Sequence, residues 1–271
     1  MDGLLITILI VIGFLVYKMI SSSRKQEGYK RWKATGSGDT ANEETAGNKW
    51  KHGAWLRHAL GVTTPKARTY PVFDEEAVVW CAGLLGVEAV RLKEILQDVS
   101  SHYREFWIRK RKGGYRMISA PDKELKSIQD TIYHRILLPV NVHPVATGFR
   151  RQHSIVDNVR PHLGKRYVLK TDIHDFFISI RSPRVKQTFE NIGYPKNISK
   201  VLGELCCRRR HLPQGASTSP ALSNIIAYEM DRKLAAMAEE FGLAYTRYAD
   251  DLTFSGDVFP KDQVLARVKE I

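Results

Sequence analysis

The residues best equipped for chemistry are carboxylates in two separated stretches. Asp250 and Asp251 sit in the run Tyr245 to Gly256, and Asp172 sits in the run Lys170 to Ile180. Adjacent carboxylates repel unless a cation lies between them, so the pair points to a hard divalent metal such as Mg²⁺. The plainer reading is that Asp-Asp favours a turn. Asp172 shifts the balance toward the metal. Three carboxylates from two neighbouring strands could hold two ions about 4 Å apart, the arrangement used for in-line phosphoryl transfer. One ion would lower the pKa of an attacking 3′-hydroxyl. The other would neutralise charge on a triphosphate and its leaving pyrophosphate.

Those side chains need elements to carry them. Tyr245, Arg247 and Leu252-Thr253-Phe254 suit strands, and the polar break at Ala249-Asp250-Asp251 predicts a β-hairpin with carboxylates at its tip. Arg166 to Ile173 reads as a further strand. Period-two alternation puts Val168, Lys170 and Asp172 on one face, with Asp172 near the strand end and able to face the tip.

The motifs resemble the reverse transcriptase family. Tyr248-Ala249-Asp250-Asp251 resembles its palm signature, and Asp172 with Phe176-Phe177 its first aspartate motif. Leu212 to Asn224, containing Pro213-Gln214-Gly215 and Ser219-Pro220, resembles its next block. Gly113 to Pro121 resembles the fingers motif, and Gly148 to Arg151 with Ser154-Ile155 the block after it. All stand in the family's order, and the bacterial retron-type group is the most similar.

The resemblance implies an α+β right-hand palm, an antiparallel sheet with helices, together with fingers. It assigns Asp172, Asp250 and Asp251 to catalysis, and these with the Ile173 backbone carbonyl to two Mg²⁺, with Mn²⁺ as the alternative ion. It assigns Arg109, Lys112, Arg116, Phe177, Gln214 and Gly215 to the nucleotide. Phe177 would be a steric gate that excludes a ribose hydroxyl, while Phe176 packs in the core, because adjacent strand residues face opposite sides. Arg150, Arg151, His162, Arg208, Arg209 and Arg210 are the expected nucleic-acid contacts. His162 closes Asn158-Val159-Arg160-Pro161-His162, which departs from the retron Asn-Ala-x-x-His element at Val159, and a lone His there is more often structural. The implied partners are a structured non-coding RNA template, the DNA product, deoxynucleoside triphosphates and a defence effector protein.

Composition is compatible with this. A net charge of +13 and a pI near 9.6 call for an anionic partner, nucleic acid or anionic lipid. Three cysteines without metal-ligand spacing argue against a disulfide framework or zinc site and for a reducing, cytosolic compartment.

Along the chain, residues 4–20 are long and apolar enough to be read as a membrane anchor. The cations that follow, Lys18 to Lys33, predict a single inner-membrane pass with the body in the cytoplasm. The expected organisation is an anchor over 1–20, a polar tether over 21–70, helices and fingers over 71–165, and palm over 166–271. Asp74 caps a helix that Gly86 stops, and a second helix follows from Val87. Tyr103 to Pro121 reads as a hairpin with a basic turn, and the helix from Lys123 could turn Gln129 toward a template. After Gly256 only residues 257–271 remain, so no thumb is expected. The competing readings are a group II intron-type or abortive-infection reverse transcriptase, or a membrane-tethered RNA-binding fragment without activity.

Overall fold

A computed structural model describes residues 72–110 and 113–271. The proposed anchor over residues 4–20, the tether and Lys112 lie outside the described residues. Among the described residues, no helix is long and apolar enough to cross a membrane. The inner-membrane placement expected from the sequence is therefore corrected and not carried forward.

The chain opens with α1 (Glu75–Leu85) and α2 (Ala89–Gln97). Asp74 caps α1 by accepting from the backbone N–H groups of Glu76 and Ala77, which supplies partners that the first helical turn lacks. Gly86 ends it in the left-handed region, at φ 71°. A 3₁₀ turn at Val99–His102 leads into an antiparallel hairpin of β1 (Tyr103–Arg109) and β2 (Tyr115–Pro121). Next, α3 (Lys123–Ile132) runs into a π-turn at Tyr133–Leu137. Gln129 on α3 does not face outward. It is fully buried, and its Nε2 donates to the Tyr103 hydroxyl and to the Leu205 carbonyl. The template role expected for it is corrected accordingly.

The second half begins with the short α4 (Ile155–Val159), a 3₁₀ turn at Arg160–His162, and β3 (Tyr167–Asp172). Four helices follow in pairs after the one-turn α5 (Phe176–Ser179): α6 (Ser182–Ile192) with α7 (Lys196–Leu205), then α8 (Ser219–Ile226) with α9 (Tyr228–Glu240). The chain closes with β4 (Ala244–Tyr248), β5 (Asp251–Gly256) and α10 (Lys261–Glu270). The strands form a wholly antiparallel sheet in the order β3-β5-β4.

Two apolar cores hold this together. The larger gathers α1, α2, α3, α6, α7 and α8. The smaller lies under the three-stranded sheet, where Leu169, Tyr245, Leu252 and Phe254 meet Leu234, Met237 and Val264. Ile173 and Met230 pack against both cores. The residue after Asp172 is thus pinned where the cores meet, and this fixes the end of β3. The observed class is mixed α+β with antiparallel sheets, as the sequence implied.

Candidate active site

The site is built by strand register. Tyr248 and Asp251 close the β4–β5 hairpin, leaving Ala249 and Asp250 at its tip. Ala249 takes a left-handed φ of 59°, a conformation that costs a non-glycine residue about 1 kcal/mol or more. On the other side of β5, Asp172 is the direct partner of Asp251. The Ile173 N–H donates to the Asp250 carbonyl at 2.8 Å, tying the end of β3 to the tip. Two strands and one turn therefore deliver the three aspartates to one end of the sheet.

Their surroundings are unequal. One oxygen of Asp172, Oδ1, is buried without a hydrogen-bond partner. The carboxyl of Asp250 is raised above its ordinary range, mainly by burial and then by the charges of Asp251 and Asp172. Arg116 on β2 pulls the other way. Asp251 pairs with the Lys170 ammonium at 3.1 Å. An orphaned carboxylate oxygen and a desolvated carboxyl between like charges are groups that a divalent cation satisfies. Even so, among the described residues no three His, Cys, Asp or Glu side chains stand together as a metal cage. The donor types fit an ion, but the cage is not closed.

Behind the tip lies a buried charge network. Arg247 on β4 is fully buried. Its Nη2 and Nε donate to the two carboxylate oxygens of Asp231 on α9, at 2.6 and 2.8 Å. Its Nη1 donates to Asn224 Oδ1 and to the Ala249 carbonyl in the tip itself. Tyr245 adds its hydroxyl to Asp231, and Asn224 donates to the Gly148 carbonyl. A Cβ on Gly148 would stand 2.6 Å from the Ala249 nitrogen, so only glycine lets that loop pass behind the tip. Sequence reasoning treated Arg247 only as strand-compatible. The missed signal is its alternation with Tyr245, which turns Arg247 inward, where a charge demands a partner.

The remaining expected residues divide. Phe177 is half-buried, its ring 6.0 Å from Phe149 and 5.7 Å from Phe176. Phe176 is buried beneath the Arg247 guanidinium. The sequence reading separated the two rings by strand alternation. Instead Asp175 turns left-handed at φ 48° and starts α5, so a helical turn separates them. Arg116 and Arg109 are both exposed. Arg116 pairs with Ile108 and Arg109 with the adjacent Tyr115, so the two arginines project from opposite faces of the hairpin. Arg116 is the one whose charge reaches Asp250.

Three expectations need correction. His162 is not turned outward to nucleic acid. Its Nδ1 meets Ser255 Oγ at 2.7 Å and its Nε2 meets Thr246 Oγ1 at 2.8 Å, stapling the 3₁₀ turn onto the sheet. Burial lowers its pKa. Arg208 is buried, paired with Glu105 on β1, within 3.3 Å of Ser119 Oγ on β2, and over the Tyr103 ring. It locks the base of the hairpin, while Arg209 and Arg210 stay exposed. Gly215, at φ 127°, uses its missing side chain against the protein. A Cβ there would lie 2.8 Å from the Ser119 carbonyl oxygen, and Ser119 N–H donates to the Gln214 carbonyl. The close approach is to β2. Of the other expected contacts, Arg151 is exposed, and Arg150 is half-buried and donates to the Ala146 carbonyl.

Paired carboxylates at the end of an antiparallel sheet, within reach of the Arg116 charge, suit a nucleotidyltransferase. Residues 108–270 match the model of the family described as reverse transcriptase (RNA-dependent DNA polymerase), and the chain belongs to that family. It is similar to the retron Ec86 reverse transcriptase of Escherichia coli, at 37% identity over 65% of this chain and 55% of that one. It is also similar to two retron reverse transcriptases of Myxococcus xanthus. Mx65 is 39% identical over 58% of this chain and 41% of its own. Mx162 is 32% identical over 85% and 52%. The chain thus spans about half the length of the curated relatives it matches.

Proposed function

We propose that the protein is an RNA-directed DNA polymerase of retron type, adding deoxynucleotides to a primer on an RNA template. The observation that carries this reading is the cross-strand pairing of Asp172 with Asp251, with Asp250 held at the adjoining tip. Asp172, Asp250, Asp251 and the Ile173 carbonyl are the groups proposed to hold divalent ions, Mg²⁺ first and Mn²⁺ as the alternative. When bound, such ions supply charge neutralisation and an activated hydroxyl. Arg116, whose charge reaches Asp250, would neutralise phosphate; the same role is proposed for Arg109 and Lys112. Phe177, packed beside Phe149 and Phe176, is proposed to press against the sugar. The exposed Arg151, Arg209 and Arg210 would bind backbone phosphates.

The names of the relatives, retron reverse transcriptases, support RNA as the template, and a structured non-coding RNA is the form proposed. A defence role with an effector protein is the more distant part of the proposal, tested by plating phage on cells with and without the gene.

The test of the central reading is primer extension on an RNA template with the four deoxynucleotides and Mg²⁺, comparing the protein with Asp250→Asn. Template-dependent extension that the variant loses by at least about a hundredfold is expected for removal of an essential charge. Equal incorporation by both proteins would refute the assignment.

A further inference from the structure

Lys170 stands beside the three aspartates as the ion-pair partner of Asp251. It occupies the exposed face of β3, two residues before Asp172, and its register partner is Thr253 on β5. From there its side chain reaches along the sheet to Asp251 Oδ2. Among the described residues, Asp251 is the one of the three aspartates held in an ion pair. The other two differ: Asp172 carries an orphaned buried oxygen, and Asp250 is half-buried beside two like charges. The lysine side chain is 50% exposed, so its flexible stem can swing into solvent without leaving a buried charge behind. Neither Asp172, fixed by register, nor Asp250, fixed at the tip, has that freedom.

We propose that Lys170 is a resident counter-cation for Asp251. It holds that carboxylate when no ion is present, competes with a divalent ion for it, and so sets the ion concentration at which the site closes. An arriving ion meets a positive charge already seated on one of its ligands and must displace it.

This inference rests on reading the three aspartates as an ion site, and the experiment separates the two. Mn²⁺ is titrated into the metal-free 271-residue chain without nucleic acid or nucleotide, and the free ion is counted by its electron paramagnetic resonance signal. Lys170→Met should bind Mn²⁺ roughly three- to tenfold more tightly than wild type at low salt, since one unit charge close to the ion is removed. Added salt should shrink the gain. Lys170→Arg, which keeps the cation, should stay within about twofold of wild type, and Asp251→Asn should bind more weakly. Should the methionine variant not melt cooperatively, Lys170→Gln takes its place. Wild type exceeding Asp251→Asn while Lys170→Met equals or falls below wild type would overturn the role of Lys170 alone. Wild type and Asp251→Asn binding alike would overturn the ion site, and the inference with it.

Discussion

Asp250→Asn should raise thermal stability while removing the proposed activity. The carboxyl of Asp250 is disfavoured in its charged form by burial and by two like charges, with Arg116 offsetting part of this. For a half-buried site, each like charge costs on the order of 1–2 kcal/mol. Solvent screening, Lys170 on Asp251 and the pull of Arg116 reduce this to a net of about 1 kcal/mol. In a chain of this size that corresponds to a melting temperature about 2–4 °C higher for the neutral isostere. Because the pKa is raised in the folded state, the folded chain holds the proton more tightly than the unfolded one. The penalty is therefore fully present above the raised value and disappears as pH falls below the ordinary carboxylate pKa of 3.8. The assay is thermal unfolding of both proteins in a chelator at pH 7 and near pH 4. The advantage of the variant should be clear at pH 7 and shrink toward pH 4. A variant less stable than wild type at pH 7, or an advantage independent of pH, would refute the electrostatic reasoning.

Three further outcomes follow from the site. His162 has its pKa lowered by burial, so the unfolded chain takes up the proton more readily and stability should fall as pH drops through about 6.5. His162→Gln should cost about 1–2 kcal/mol at pH 7.5 in denaturant unfolding and flatten that acid slope. Arg208→Met breaks a buried pair with Glu105 and should cost about 2–4 kcal/mol. Its residual activity should show a raised nucleotide KM, because the hairpin bearing Arg116 loses its anchor. Phe177→Val should lower the ratio of kcat/KM for deoxy- over ribonucleotide while keeping DNA synthesis, whereas Phe176→Ala should cost about 3–5 kcal/mol with the ratio unchanged. An unchanged ratio for Phe177→Val would return that ring to a purely structural role.

The β-hairpins were legible because their signals are local. Gly113-Gly114 and Asp250-Asp251 punctuate alternating strands, and both turns lie where the pattern breaks. The cap at Asp74 and the stop at Gly86 were equally local. The cross-strand meeting of Asp172 and Asp251 followed from alternation plus the placement of Asp172 near a strand end. Residues whose partners lie far away in sequence were misread. Arg208, His162 and Gln129 all looked like donors for an outside ligand, yet each is consumed by a partner 26 to 103 positions away. A run of cations such as Arg208 to Arg210 gives no internal sign of which member the fold will bury. Backbone geometry decides this: Arg209 and Arg210 take left-handed conformations and stay exposed, Arg209 reaching only the outer oxygen of Glu105 at 3.5 Å.

The buried Arg247 acts as a proofreading device for folding. Strand pairing is easily wrong by one residue, and such a slip inverts every side chain across the sheet. Here a slip of β4 would turn Arg247 to the opposite face and strand Asp231 as an unpaired charge in the smaller core, an error worth roughly 3–5 kcal/mol. The same slip would detach the tip from the guanidinium that holds the Ala249 carbonyl. A register that misplaces the aspartates therefore carries the cost of an unpaired buried charge, which disfavours a well-packed but inert form of the chain.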